Sequence, residues 1–103
     1  MDYKVILRQG AIDDLAEIVT YISRDDPKAA ERLGHQLVAT AESLADMPYR
    51  GKAVRGRPGA RRLVRRPYLI FYEIDAATRT IEVLRFWHAA RDPAALRLGP
   101  GEQ

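Results

Sequence analysis

The apolar positions of this chain change period as it proceeds, and each change marks an element. Tyr3 to Leu7 is a short apolar run interrupted by Lys4, which predicts a strand broken by Gly10. From Ala11 the spacing becomes helical: Ala11, Leu15, Ile18, Val19 and Ile22 fall on one face. Asp13, Asp14 and Glu17 lie near the start of this helix, where negative charge suits the helix dipole. The helix ends between Ser23 and Asp26. Asp26-Pro27 then supplies a start signal, an acid at the N-cap and proline at the first helical position. Ala30, Leu33, Leu37, Ala41 and Leu44 form the stripe of a second helix of about 18 residues, which Pro48 stops. The short link makes the two helices antiparallel neighbours.

Tyr49 to Ala60 carries three glycines and one proline and predicts a loop with no regular element. Leu63 and Val64 belong to a short strand, and Pro67, which cannot donate to a ladder, marks its end or an edge. Tyr68 to Ile74 is the next strand. Ile81 to Trp87 is the last, apolar on both faces and so expected in a well-covered, central position. Asp75 to Arg79 has the length and polarity of a hairpin loop between them. The order β-α-α-β-β-β predicts an α+β two-layer sandwich, a helical hairpin packed on a small, mostly antiparallel sheet. Residues 1–91 form one domain; 92–103 are a short, partly flexible tail in which Gly99-Pro100-Gly101 is expected to fray. Periodicity does not fix where the first strand pairs.

Composition narrows the function more than the fold. With 103 residues there is room for one small domain. No cysteine is present, which excludes a disulfide framework, a thiolate metal site and a cysteine nucleophile. The N-terminal residues lack the apolar core of a signal peptide, and no apolar run approaches a membrane span, so a cytoplasmic protein with no membrane partner is expected. The net charge of +3 hides an asymmetry: residues 1–46 carry five Lys/Arg against nine Asp/Glu, and residues 47–103 carry twelve against five. The strand-rich half would steer an anionic partner to itself.

The densest anomaly is Arg50 to Arg66. It holds Arg50, Lys52, Arg55, Arg57, Arg61, Arg62, Arg65 and Arg66 without one acidic residue. Arginine suits bidentate contact with phosphate or carboxylate, so the run reads either as a nucleic-acid or acidic-protein site or as a solvated loop. Arg85, His88 and Arg91 form a second constellation, which would converge only if the chain turns after His88. His88 could then act as a base or a phosphate contact, against the plainer reading of a histidine bonded to backbone. Tyr68, Tyr72, Phe86 and Trp87 could stack bases, but their strand periodicity favours packing. His35 reads as an exposed helix residue. Two distant histidines without cysteine give no support for a metal site, no cofactor motif is present, and no catalytic residue is assigned.

These pieces in this order resemble a known family. They are Ala11-Ile-Asp-Asp-Leu-Ala-Glu-Ile with Tyr21-Ile22; Asp26-Pro27-Lys28-Ala29-Ala30; Leu44 followed by Met47-Pro48-Tyr49-Arg50-Gly51; Arg61-Arg62-Leu63; Tyr68-Leu69-Ile70-Phe71-Tyr72; and Val83 to Arg91. From Tyr3 to about Arg91 the chain is similar to the RelE/ParE toxin superfamily of bacterial type II toxin–antitoxin modules, in its ParE-like, plasmid-stabilisation branch. RelE-like members are ribosome-dependent mRNA endonucleases that hold the scissile phosphate with basic residues, and many use a tyrosine in the tail. Here Leu69 follows Tyr68 where that group has an arginine, and no tyrosine follows Arg91, while Arg91 itself matches another arginine of that group. ParE-like members resemble non-enzymatic inhibitors of DNA gyrase. The resemblance therefore implies a gyrase-binding toxin neutralised by a ParD-like antitoxin in a hetero-oligomer, with Arg61, Arg62, Tyr68, Arg85, His88 and Arg91 as target- or antitoxin-binding residues. A RelE-type endonuclease acting on ribosome-bound mRNA, and an antitoxin-binding module without toxicity, are the alternatives.

Overall fold

Residues 3–100 are described in a computed structural model of the chain. β1 (Lys4–Leu7) leads into α1 (Gln9–Ser23) and α2 (Pro27–Glu42), which ends in a 3-10 turn, Ser43–Ala45. β2 (Lys52–Ala53), β3 (Ala60–Arg65), β4 (Tyr68–Asp75) and β5 (Thr80–His88) follow. All five strands share one sheet in the order β1-β5-β4-β3-β2. β1 runs parallel to β5, with Val5 opposite Ile81 and Leu7 opposite Val83. Every other pairing is antiparallel. The expected two-layer α+β sandwich is what forms, and β5 is interior, as its apolar residues on both faces require.

Three local expectations are corrected. Gly10 does not end β1 but sits in the first turn of α1. A Cβ there would lie 3.1 Å from Arg85 Cδ and 3.2 Å from the Leu84 carbonyl oxygen, so glycine is what lets the helix start against β5. The loop after Pro48 is not wholly irregular: Lys52 and Ala53 pair with Arg62 and Arg61 as a short edge strand. Third, Asp13, Asp14 and Glu17 all lie beyond the first turn of α1, the turn in which the dipole would favour them, and Asp14 is buried on the packed side of the helix.

The start of α2 forms as read, with Asp26 Oδ1 accepting from the Ala29 N–H at 3.0 Å and proline following the cap. Helices and sheet enclose a core of Ala11, Leu37, Ala41, Tyr68, Ile70, Val83 and Phe86, continued by Leu44, Tyr72 and Ile81. Burying each large side chain contributes about 1.5–3 kcal/mol. The sheet also has an apolar patch elsewhere. Phe71, Leu84 and Trp87 are covered by Val54, Leu69, Leu96 and Leu98. A bulge in the β4–β5 pairing moves the register from Phe71 opposite Arg85 to Tyr72 opposite Val83, leaving Leu84 without a direct opposite. Of the expected loose end, Gly99 and Pro100 accept hydrogen bonds from arginines of the body. Gly101 lies outside the described residues. Among the described residues no helix is long and apolar enough to cross a membrane.

Candidate functional site

β1 is shorter than β5, and the site begins where it stops. The Arg8 N–H donates to the Val83 carbonyl at 2.9 Å, and the chain then turns into α1. From Leu84 onward β5 has no strand neighbour on that side among the described residues. An unpaired edge of this kind needs another acceptor for its N–H groups. Asp14 of α1 supplies it: Oδ2 accepts from the Phe86 N–H at 3.0 Å. The same carboxylate takes Arg85 Nε at 2.6 Å and Nη2 at 2.9 Å. The hydrogen bond to Asp14 raises the pKa of Arg85, outweighing the effect of its partial burial. Arg85 and Asp14 thus lock the helix to the sheet edge.

Beyond this lock the edge opens into a groove of about 1060 Å³ between α1 and the end of β5. Ile18, Ile22, Tyr68 and Phe86 make it apolar; Asp13 and Glu17 lie on the helix side, His88 and Arg91 on the sheet side. Tyr21, 71% exposed, stands at its rim. The Tyr68 and His88 rings meet edge to face with centroids 5.2 Å apart. Burial pushes the Tyr68 phenol above its ordinary pKa. The chain does turn after His88: its Nδ1 accepts from the Ala90 N–H at 3.0 Å, and its carbonyl accepts from the Arg91 N–H at 2.9 Å. That turn carries the Arg91 guanidinium to 3.9 Å from the centre of the Trp87 ring, while Arg85 lies 5.3 Å from the same ring.

The six expected residues therefore divide. Tyr68, His88 and Arg91 line one groove. Arg85 lies behind it, committed to Asp14. Arg61 and Arg62 are on β3, on the far side of β4 from β5. Arg61 donates to the carbonyls of Gly51 and Tyr49 and stacks on the Tyr49 ring at 5.0 Å. Arg62 is exposed opposite Lys52. The rest of the basic run disperses as well. Arg50 donates to Ser43 Oγ, Arg57 pairs with Glu73 and Arg65 reaches Gln36 Oε1. Only Lys52, Arg55, Arg62 and Arg66 of that run join Arg50 as exposed residues.

Periodicity alone missed Asp14, although it falls three residues after Ala11 and beside Leu15, on the apolar stripe; an acid there is itself a signal that a cation faces it. It also missed the hydroxyl of buried Tyr72, which donates to the Pro48 carbonyl at 2.7 Å and accepts from the Gly51 N–H at 2.9 Å. Tyr72 thereby fixes the loop that leads to β2.

The family model described as ParE toxin of type II toxin–antitoxin system, parDE, matches residues 5–93. The chain is 36% identical over 89 residues to Toxin RelE2 of Caulobacter vibrioides, covering 85% of this chain and 97% of that toxin. Its structure is similar to that of the toxin–antitoxin complex RelBE2 from Mycobacterium tuberculosis, at TM-score 0.67 and 28% identity over 85% of this chain and 99% of the other. A chain of the chromosomal ParDE system from P. aeruginosa has the same fold, at TM-score 0.69 and 21% identity over 84% of this chain and 95% of the other.

Proposed function

Because the chain belongs to the ParE toxin family of type II toxin–antitoxin systems, we propose that it acts by binding, as a protein ligand that inhibits DNA gyrase, and that a ParD-like antitoxin neutralises it. The observation that carries this reading is the commitment of Arg85 and Arg61 to partners within the chain, together with the leucine at position 69. An enzyme that cleaves a phosphodiester must aim donors at the charge that develops in the transition state. Here Arg85 is bound by Asp14 and Arg61 by loop carbonyls. Leu69, at the strand position where the nuclease branch has an arginine, packs with the Phe71–Trp87 cluster. What remains at the surface suits protein contact: an apolar groove with Tyr21 at its rim and Arg91 beside it, and Arg62 on β3.

The antitoxin reading draws on charge. The half of the chain from residue 47 onward carries twelve basic and five acidic residues. A disordered acidic segment that folds on binding would be steered there, while burial of its apolar side chains would supply most of the affinity. The RelE-type ribonuclease is the second reading, favoured by the name of the RelE2 relative and by the likeness to RelBE2.

Supercoiling of relaxed DNA by gyrase, with and without the purified chain, separates the readings when run beside a translation reaction probed for mRNA cleavage. Blocked supercoiling with intact mRNA is expected. Cleaved mRNA with normal supercoiling would replace this reading with the ribonuclease.

A further inference from the structure

The groove lies where β5 ends. Where β5 begins, at the far end of a nine-residue strand that spans roughly 25–30 Å, the surface is aromatic and basic. Met47 is 59% exposed and Tyr49 is 57% exposed. The Arg50 N–H donates to the Met47 carbonyl at 3.2 Å, so both side chains stand on one turn. Tyr3 lies beside them: its N–H donates to the Ala45 carbonyl at 3.1 Å, and partial burial first, then the neighbouring Tyr49 phenol, raise its pKa. Single large apolar side chains in water need no explanation, but several together mark a contact surface.

The turn is held in place. The Tyr72 hydroxyl donates to the Pro48 carbonyl and accepts from the Gly51 N–H. Gly51 packs so closely that a Cβ would lie 2.6 Å from the Arg62 carbonyl oxygen. Arg61 bonds the Gly51 and Tyr49 carbonyls and lies 5.0 Å over the Tyr49 ring. The exposed side chains thus stand on backbone that the core fixes, and a partner that meets them has little to order.

Arg79 completes the surface from the hairpin side, and its backbone is an anomaly. Its φ is +56°, and among the described residues no other non-glycine residue has a positive φ. Asp75 already makes the turn, its Oδ1 accepting from the Ala77 and Thr78 N–H groups. At a left-handed position in a hairpin, glycine or asparagine fits and arginine is strained. The sheet uses the backbone of Arg79, whose carbonyl accepts the Lys4 N–H at 2.9 Å, and glycine would supply that equally. The guanidinium stands 6.0 Å from the centre of the Tyr3 ring, at the limit of a cation–π contact. Strain kept where the fold gains so little points to a use outside the fold. Arg50, Arg61 and Arg79 here face one acid of the turn, Asp46, so the surface favours an anionic partner. Tyrosine, methionine and arginine are the side chains enriched where proteins meet proteins.

We propose that Tyr3, Met47, Tyr49 and Arg79 form a docking surface for an acidic protein, which sets a carboxylate against Arg79 and an apolar side chain against Met47 and Tyr49. This surface meets the target, a step that rests on the reading of the chain as an inhibitory protein ligand.

The test expresses the full-length chain in bacteria and scores growth arrest, beside supercoiling of relaxed DNA by purified gyrase. Arg79→Gly is expected to melt at or above the wild-type temperature, because glycine takes left-handed backbone without strain. It should nevertheless need at least about tenfold more protein to half-block supercoiling, and should let induced cells grow. Met47→Ser with Tyr49→Ser, both at exposed positions, should lose inhibition to the same degree, and this pair decides if Arg79→Gly melts lower than wild type. Wild-type inhibition and growth arrest by the folded variants would overturn the proposal and leave the gyrase reading standing. If wild type arrests growth without blocking supercoiling, the gyrase reading falls; growth arrest lost in the variants then supports the docking surface, and growth arrest retained overturns it. A wild-type chain that does neither overturns both. Binding of wild type to a labelled DNA duplex that Arg79→Gly weakens would overturn the proposal too, since the partner would then be a nucleic acid.

Discussion

Tyr72 ties the core to the surface loop through one oxygen. Replacing it with phenylalanine keeps the ring but leaves the Gly51 N–H without its partner in a buried position. Tyr72→Phe is expected to destabilise by about 1–3 kcal/mol in urea denaturation. Asp14→Ala removes the acceptor for Arg85 and for the Phe86 N–H together, and a loss of about 1–3 kcal/mol is expected in the same assay, the cost of leaving a buried N–H and a partly buried cation without their acceptor. Alkaline pH is a third test at this scale. Burial is the main cause raising the pKa of both Tyr68 and Tyr72 above the ordinary 10.0. Above that value the unfolded chain releases these protons while the folded chain keeps them, so the unfolded state binds fewer protons. The slope of stability with pH is then negative: the contribution is complete below about pH 10 and is lost as pH rises through the folded values. Urea midpoints at about pH 8 and about pH 10.5 should show the decline, and it should be shallower in Tyr72→Phe.

Elements were legible where one pattern decided them. The Asp26-Pro27 cap, the Leu37 stripe and the apolar β5 each carry their own signal, and each stands where its signal puts it. Leu37 is fully buried between α2 and the sheet, and Leu37→Ala is expected to destabilise by about 2–5 kcal/mol by thermal melting. What was not legible is what depends on residues distant in sequence. The parallel pairing of β1 with β5 joins Val5 to Ile81, and no local period reports a partner that far along the chain. The glycine at position 10 looked like a breaker because its reason, contact with Leu84 and Arg85, lies in another element. The candidate groove was half legible. The turn after His88 brought Arg91 toward the strand end, as the spacing allowed. The arginine-rich run gave no hint that Arg57, Arg61 and Arg65 each have partners of their own.

At the scale of the whole molecule, two halves of opposite charge are folded into one sandwich. If the basic half guides its partners, association of the chain with an acidic antitoxin should slow as salt rises, since exposed charges are screened beyond about 8–10 Å at ordinary ionic strength. Arg62→Ala and Arg91→Ala are each expected to weaken partner binding or toxicity while the melting temperature stays near wild type, because both side chains are exposed. Wild-type toxicity and wild-type affinity in both variants would remove these residues from the binding surface. The place of β5 in the sheet has a further consequence, for synthesis. The strand that bridges β1 and β4 is the last of the five to leave the ribosome. Until residue 88 has emerged, β1 has no partner and one side of β4 is bare. A chain cut short before β5 loses not a margin but the join between its two ends. The order of translation thus keeps the sheet of a nascent toxin open until β5 has been made.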